Sequence, residues 1–193
     1  MNAPLKITFL AKMRRSGTPL VFFLFDGEPT AAQPLFAKLS KGEQQYLIEG
    51  KRDLAPKEKE VKTAILPGTR RKIILVGLGK RKEFNAKKAG LCTRIAVQTA
   101  RAEKMERFAF WAPPLGGRAA TGDFYETVAA NAVMANFEFV KYKTPPPEGF
   151  FFVREMSLDP DAGDRHSPIE QMPDVLHIVI QALAGGDVVI VHA

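Results

Sequence analysis

The sequence is poor in the residues that most often carry disulfide, redox and metal chemistry. Its 193 residues include one cysteine, Cys92, and three histidines, His166, His177 and His192, all close to the carboxyl end. A single cysteine excludes an internal disulfide and any zinc site built from paired cysteines. Because the first histidine is His166, residues 1–165 have no imidazole for metal binding or general base catalysis.

Long apolar runs are also missing. The longest run near the start, 20–25, has six residues, whereas a membrane helix needs about 20. Residues 1–12 lack the long apolar stretch and the small-residue cleavage site of a signal peptide. We therefore expect a cytoplasmic protein that has no contact with a membrane.

The overall composition is that of a folded domain. Hydrophobic residues make up 46% of the chain and charged residues 25%, which indicates one globular domain, or one domain with an appendage. The net charge of +7 permits a polyanionic partner but does not require one.

Strand and helix patterns alternate along the first three-quarters of the chain. We predict strands at 5–10, 20–25, 72–78 and 108–112. We also predict a helix at 86–106, capped by Asn85 and with one apolar stripe, and a second at 124–138, capped by Asp123. The apolar run at 72–78 lacks alternation, so both of its faces should be buried. Residues 31–39 could form a short helix with Pro34 in its first turn. Residues 45–49 are ambiguous between strand and helix, and the charged stretch 51–63 is typical of a solvated loop. This order favours an α/β sandwich with a mixed or parallel sheet.

The composition changes after Lys143. Residues 145–149 are rich in proline and form a predicted spacer, which leads into a predicted strand at 150–153. A helix after Pro173 and a closing strand at 188–191 complete the pattern. We therefore divide the chain into a domain at 1–144 and a strand-helix-strand extension at 145–193.

Two stretches resemble one known family. The strand and turn RRKIILVGLGKRKEFN (70–85) and the helix VAANAVMANFEFVKYKT (128–144) are similar to segments of the non-catalytic, N-terminal domain of the leucyl (cytosol) aminopeptidases. The order of the elements up to Thr144 also fits this domain. The resemblance implies a macro-domain-like, three-layer α/β sandwich with a largely buried sheet and helices on both faces.

The same resemblance implies what the chain does and does not contain. In the family a second, larger domain holds two divalent metals, such as zinc or manganese, and releases N-terminal residues from peptides. Its Asn-Thr-Asp-Ala-Glu-Gly-Arg signature does not occur in this sequence, so no catalytic or metal-binding residue carries over. The implied role is assembly and control of access in a hexameric enzyme, with the catalytic domain and like subunits as partners.

A glycine-rich turn is the first candidate binding site. Gly77, Gly79 and Lys80 follow a buried strand and precede a helix, where backbone amides often cradle phosphates. The dinucleotide fingerprint would need a third glycine where Lys82 stands, and the Walker spacing is absent. The alternative is a tight turn that needs glycine for its backbone angles.

A basic segment is the second candidate. Residues 51–107 carry 17 basic and six acidic side chains, so a nucleic acid is a candidate partner, bound through its backbone. The alternative is a solvated helix face with charged loops. The basic residues proposed for this interface are Arg70, Arg71, Lys80, Arg81, Lys82, Lys87 and Lys88.

Overall fold

The computed structural model describes residues 5–9, 17–27, 36, 39–50, 56–111, 118–137, 143–159 and 191–192. In chain order the elements are β1 (Lys6–Phe9), β2 (Leu20–Phe25), α1 (Lys41–Glu49), β3 (Val61–Ile65), β4 (Lys72–Gly79), a 3-10 turn (Arg81–Glu83), α2 (Ala86–Ala102), β5 (Arg107–Trp111), α3 (Arg118–Asn136), β6 (Glu155–Asp159) and β7 (Val191–His192).

The described strands form one mixed sheet in the order β3-β4-β2-β5-β6-β1-β7. β3 is antiparallel to β4, and every other neighbouring pair is parallel. This confirms the predicted α/β class and the mixed sheet.

Helices cover both faces of this sheet. On one face, α2 and α3 pack on a core that includes Phe23, Val76 and Phe110. On the other face, Leu47 of α1 packs with Phe22 and Leu75. The alternation of the strand side chains assigns each to one of these two cores, so the molecule has the predicted three layers.

β4 is a buried inner strand of the sheet, next to the edge strand β3. Its residues from Ile73 to Gly79 are all buried, because β4 pairs with β3 and β2 at its edges and carries helices on both faces. The continuous apolar run in the sequence therefore predicted this strand correctly.

Two elements, α1 and β3, lie in stretches for which the sequence did not clearly predict a helix or a strand. Residues 45–49 belong to a helix, α1, whose start is fixed by a capping box: Ser40 N donates to Glu43 Oε2 at 2.9 Å, and Glu43 N donates to Ser40 Oγ. The predicted loop at 51–63 was wrong at its end, because β3 begins at Val61. β3 lies at the edge of the sheet and is half exposed, so charged residues within it are tolerated.

The second predicted helix begins earlier than expected. α3 starts at Arg118, so Asp123 lies inside the helix and is not its N-cap. Packing of α3 against α2 outweighs the weak helix preference of Thr121 and Gly122 at its start.

The strand predicted at 150–153 is also wrong in position, because β6 starts at Glu155. The backbone at Phe151 and Val153, ahead of β6, is held by side chains. Asn136 Nδ2 donates to the Val153 carbonyl at 2.8 Å, and Val153 N donates to Asn136 Oδ1 at 2.9 Å. Arg101 Nε donates to the Phe151 carbonyl at 3.0 Å.

β6 lies beyond the boundary drawn at residue 144, yet it pairs with β5 and β1 inside the same sheet. The division at 144 stays a prediction, and residues 155–159 share the sheet of the preceding part. The short helix expected around 31–39 and the helix after Pro173 lie largely or wholly outside the described residues. Of the closing strand, the structure describes Val191, in β7.

Asn136→Ala should lower the free energy of unfolding by about 2 kcal/mol, because it leaves the buried N–H and C=O of Val153 without partners. Urea denaturation followed by Trp111 fluorescence measures this change. Gln98→Ala, on the exposed face of α2, is the control and should change stability by less than about 0.5 kcal/mol. Equal stability of the two variants would show that the amide does not hold this segment.

Candidate functional site

The carboxyl end of β4 is where the sequence placed its first candidate site. Gly77, Leu78 and Gly79 complete the strand, and the 3-10 turn then leads into α2. α2 is capped by Asn85, whose Oδ1 accepts a hydrogen bond from Lys88 N at 3.0 Å. The predicted strand-turn-helix context is therefore present.

Both glycines in this turn are required by the backbone. A Cβ at Gly77 would overlap the carbonyl group of Lys57, because the chain before β3 passes directly over this position. Lys59 N donates to the Gly77 carbonyl at 2.8 Å. Gly79 has a φ of +74°, in the region that favours glycine, and its carbonyl accepts from Asp26 N at 3.0 Å.

An internal ion pair occupies the space beside this turn. The Glu58 carboxylate lies against Gly79, and Lys88 Nζ is 3.1 Å from Glu58 Oε2 and 3.5 Å from Glu83 Oε2. The hydrogen bond to Glu58, with a further one to Glu83, raises the pKa of Lys88. A carboxylate at this position would repel a phosphate, so the observed geometry supports a tight turn. Ligand binding by Gly77, Gly79 and Lys80 stays a prediction.

The proposed basic residues divide between the two ends of β4. Arg70 and Arg71 precede the strand and Lys80 follows it, so they lie about 30–33 Å apart along an extended chain. Arg71 is only 4% exposed, which removes it from any surface for a nucleic acid. Arg70 is exposed but stands apart at this end.

At the carboxyl end, four basic residues are exposed together along the chain: Lys80, Arg81, Lys82 and Lys87. The guanidinium carbon of Arg81 lies 4.2 Å from the centre of the Phe25 ring, a cation–π contact. Lys88 is partly buried in its ion pairs. The structure thus brings four of the seven predicted residues to one exposed segment.

A polar cluster, in which the buried Glu43 and Arg71 meet the exposed Ser40 and Thr69, was not predicted. Glu43 is 2% exposed. Its carboxylate accepts from Thr69 Oγ1 at 2.6 Å and from Ser40 Oγ at 3.0 Å. Burial raises the pKa of Glu43, but the hydrogen bonds from Thr69 and Ser40 and the charge of Arg71 outweigh it and hold the pKa below its ordinary value.

This cluster joins α1 to the turn between β3 and β4, at the end of β4 opposite the glycine turn. Only the Ser40-to-Glu43 spacing, which is the signature of a capping box, could have been found in the sequence. A fully hydrogen-bonded carboxylate of this kind stabilises the fold, and we assign it no chemical role.

Nucleophilic and metal chemistry find little support among the described residues. Cys92 is buried, and desolvation is the main cause that raises its pKa to about 11, so its thiol is not a nucleophile near neutral pH. In the part of the chain that the structure describes, no three His, Cys, Asp or Glu side chains are grouped to hold a metal ion. These residues therefore do not fit the metal pair that the resemblance implies for the family's larger domain.

A shallow groove of about 440 Å³ lies where the proline-rich segment meets the end of α2, lined by residues that include Gln98, Arg101, Lys104, Glu148 and Phe150. Arg101 is engaged by the backbone at Phe151 and Ala135. Arg101 therefore helps to anchor the segment before β6. Among the described helices, none has the length and apolar character to cross a membrane.

A mixed sheet of this order with helices on both faces defines a macrodomain-like α/β domain. A macrodomain mutant from Oceanobacillus iheyensis matches with a TM-score of 0.59 at 14% identity, over 94% of this chain and 95% of that chain. The family follows from the sequence: residues 20–146 match the model described as the cytosol aminopeptidase family, N-terminal domain. The match covers more than half of the sequence, and the chain belongs to this family.

Solved structures of longer proteins share the fold. A mutant of tomato leucine aminopeptidase matches with a TM-score of 0.68 at 15% identity, over 92% of this chain and 37% of that chain. The bottromycin maturation enzyme BotP matches with a TM-score of 0.54 at 14% identity, over 86% of this chain and 32% of that chain. The chain thus spans about a third of the length of either protein. A comparison with curated proteins gives no match.

Proposed function

We propose that this chain is a non-catalytic domain that serves the assembly of an aminopeptidase and controls access to its active site in the cytoplasm. Membership of the N-terminal domain family carries this proposal. The catalytic domain and like subunits are the proposed partners, in a hexameric assembly.

The surface of the domain supports a role in assembly. Ile65 on β3, Met134 on α3 and Phe137 just after it are each more than half exposed, at 57%, 58% and 55%. Side chains of this type are covered when subunits or domains associate.

The purified chain should not hydrolyse a leucine anilide when manganese or zinc is added. The described residues offer no grouped metal ligands, and the sequence lacks the family signature. Release of the aniline chromophore measures turnover, and a leucine aminopeptidase is the positive control. Turnover that follows this chain through purification would overturn the non-catalytic role.

A second candidate is a binding module for nucleic acid or an ADP-ribose-like ligand. The exposed segment with Lys80, Arg81, Lys82 and Lys87 favours it, because clustered cations bind phosphates. Retention of DNA at low salt that falls steeply as salt rises would support this role. No retention at low salt, together with no heat of binding for ADP-ribose, would remove it.

A further inference from the structure

The outer edge of β3 carries backbone groups that no described strand pairs. Among the described strands β3 ends the sheet, with β4 as its neighbour on the inner side. Leu66 N donates to the Arg71 carbonyl at 2.7 Å, and Gly77 N donates to the Glu60 carbonyl at 3.0 Å. Hydrogen-bonded and open positions alternate in an antiparallel pair. The backbone N–H and C=O groups of the even-numbered residues in 60–66 therefore point towards β4.

The odd-numbered residues Val61, Thr63 and Ile65 therefore direct their N–H and C=O groups away from the sheet. Their side chains share one face, on which Thr63 and Ile65 are exposed. An edge with three such residues in a row is a template for another strand.

We propose that a second copy of this chain occupies this edge, with β3 paired antiparallel to β3 of the partner about a two-fold axis at Thr63. In this register Val61 lies opposite Ile65 of the partner and Thr63 opposite its own counterpart. All three outward residues then form hydrogen-bonded pairs. Aliphatic and Thr–Thr pairs of this kind stabilise neighbouring strands.

Neighbouring registers are less favourable. A shift that centres the axis on Lys62 would place two lysines directly opposite each other and lose one of the three pairs. A shift to Ala64 would oppose Val61 to Pro67, which has no N–H to donate. The proposed register is therefore the one that the edge itself favours.

Charge does not protect this edge from pairing. A lysine on an edge strand normally discourages association, but Lys62 Nζ lies 2.8 Å from Glu60 Oε1 of the same chain. In the proposed register Lys62 faces the small, uncharged Ala64 of the partner. A self-complementary two-fold contact of this kind is the building unit of most symmetric oligomers.

This inference rests on the proposed role in assembly, and cysteine substitution tests it separately. In the proposed register the two copies of residue 63 have Cα atoms about 5.5 Å apart, within the range of a disulfide. The two copies of residue 62 lie diagonally, about 7–8 Å apart, which is too far. Thr63→Cys should therefore form a disulfide-linked dimer under mild oxidation, and the matched control Lys62→Cys should not. The unsubstituted chain, whose single cysteine is buried, is the background.

Thr63→Pro gives an independent readout. It removes an N–H that points away from β4, so the fold should persist with an unchanged circular dichroism spectrum. The dimer should be lost, and Thr63→Val, which keeps the N–H, should retain it. Cross-linking of Lys62→Cys in place of Thr63→Cys would overturn the register. Self-association without either cross-link would overturn the pairing through the β3 edge but would still agree with a role in assembly. A chain that remains monomeric would contradict both proposals.

Discussion

Gly77→Ala should lower the free energy of unfolding by about 3 kcal/mol or more, because the new Cβ would overlap the backbone carbonyl of Lys57. A backbone atom cannot move aside as the end of a side chain can. The chain before β3 would have to shift, and the hydrogen bond from Lys59 N to the Gly77 carbonyl would be strained or lost. Urea denaturation followed by Trp111 fluorescence measures the loss.

Gly42→Ala is the matched control for this substitution. Gly42 lies in α1, and a Cβ there would meet no atom within 4 Å. Alanine should raise stability by up to about 1 kcal/mol, since it favours the helix. If Gly77→Ala unfolded at the same urea concentration as the unsubstituted chain, the close approach of the two segments would be wrong. If the glycines served only to bind a phosphate, Gly77→Ala would keep normal stability and bind the ligand more weakly.

Glu43→Ala should lower the free energy of unfolding by about 1–3 kcal/mol, since it removes a buried, hydrogen-bonded carboxylate near Arg71. It also removes the acceptor for Thr69 Oγ1 and for both donors of Ser40. The control is Glu49→Ala on the exposed face of α1, which should change stability by less than about 0.5 kcal/mol. A small loss for Glu43→Ala would mean that the cluster does not hold α1 on the sheet.

The lowered pKa of Glu43 also predicts a dependence on pH. Its contribution to stability is fully present above the pKa of the unfolded chain and is lost as pH falls through the lower pKa of the folded chain. The unfolding midpoint in urea should therefore fall on acidification more for the unsubstituted chain than for Glu43→Gln, whose amide does not titrate. Parallel pH profiles of the two proteins would contradict the assigned shift.

Local patterns were sufficient for the elements that fill the core. β2 and β4 follow from their apolar runs, and α2 from its Asn85 cap and apolar stripe. The turn at Gly77 and Gly79 was predicted in its position, and the need for glycine was among the alternatives. These features depend on residues that are neighbours in the sequence.

Features that depend on distant partners could not be predicted. Thr69 bonds to Glu43 across 26 positions, and Asn136 holds Val153 across 17. The Asn136 amide satisfies the backbone of Val153, which a neighbouring strand would otherwise pair. The aromatic run at 150–152 therefore resembles a strand without being one. β3 was missed because it mixes charged and polar residues with apolar ones, as edge strands do. An edge strand is recognised only when the rest of the sheet is known.

The native mass of the purified chain tests the proposed role in assembly most directly. Sedimentation velocity over a range of concentrations should show a species of at least twice the 21.3 kDa of one chain, and its share should rise with concentration. One species at the mass of a single chain, at every concentration and at low salt, would contradict the account.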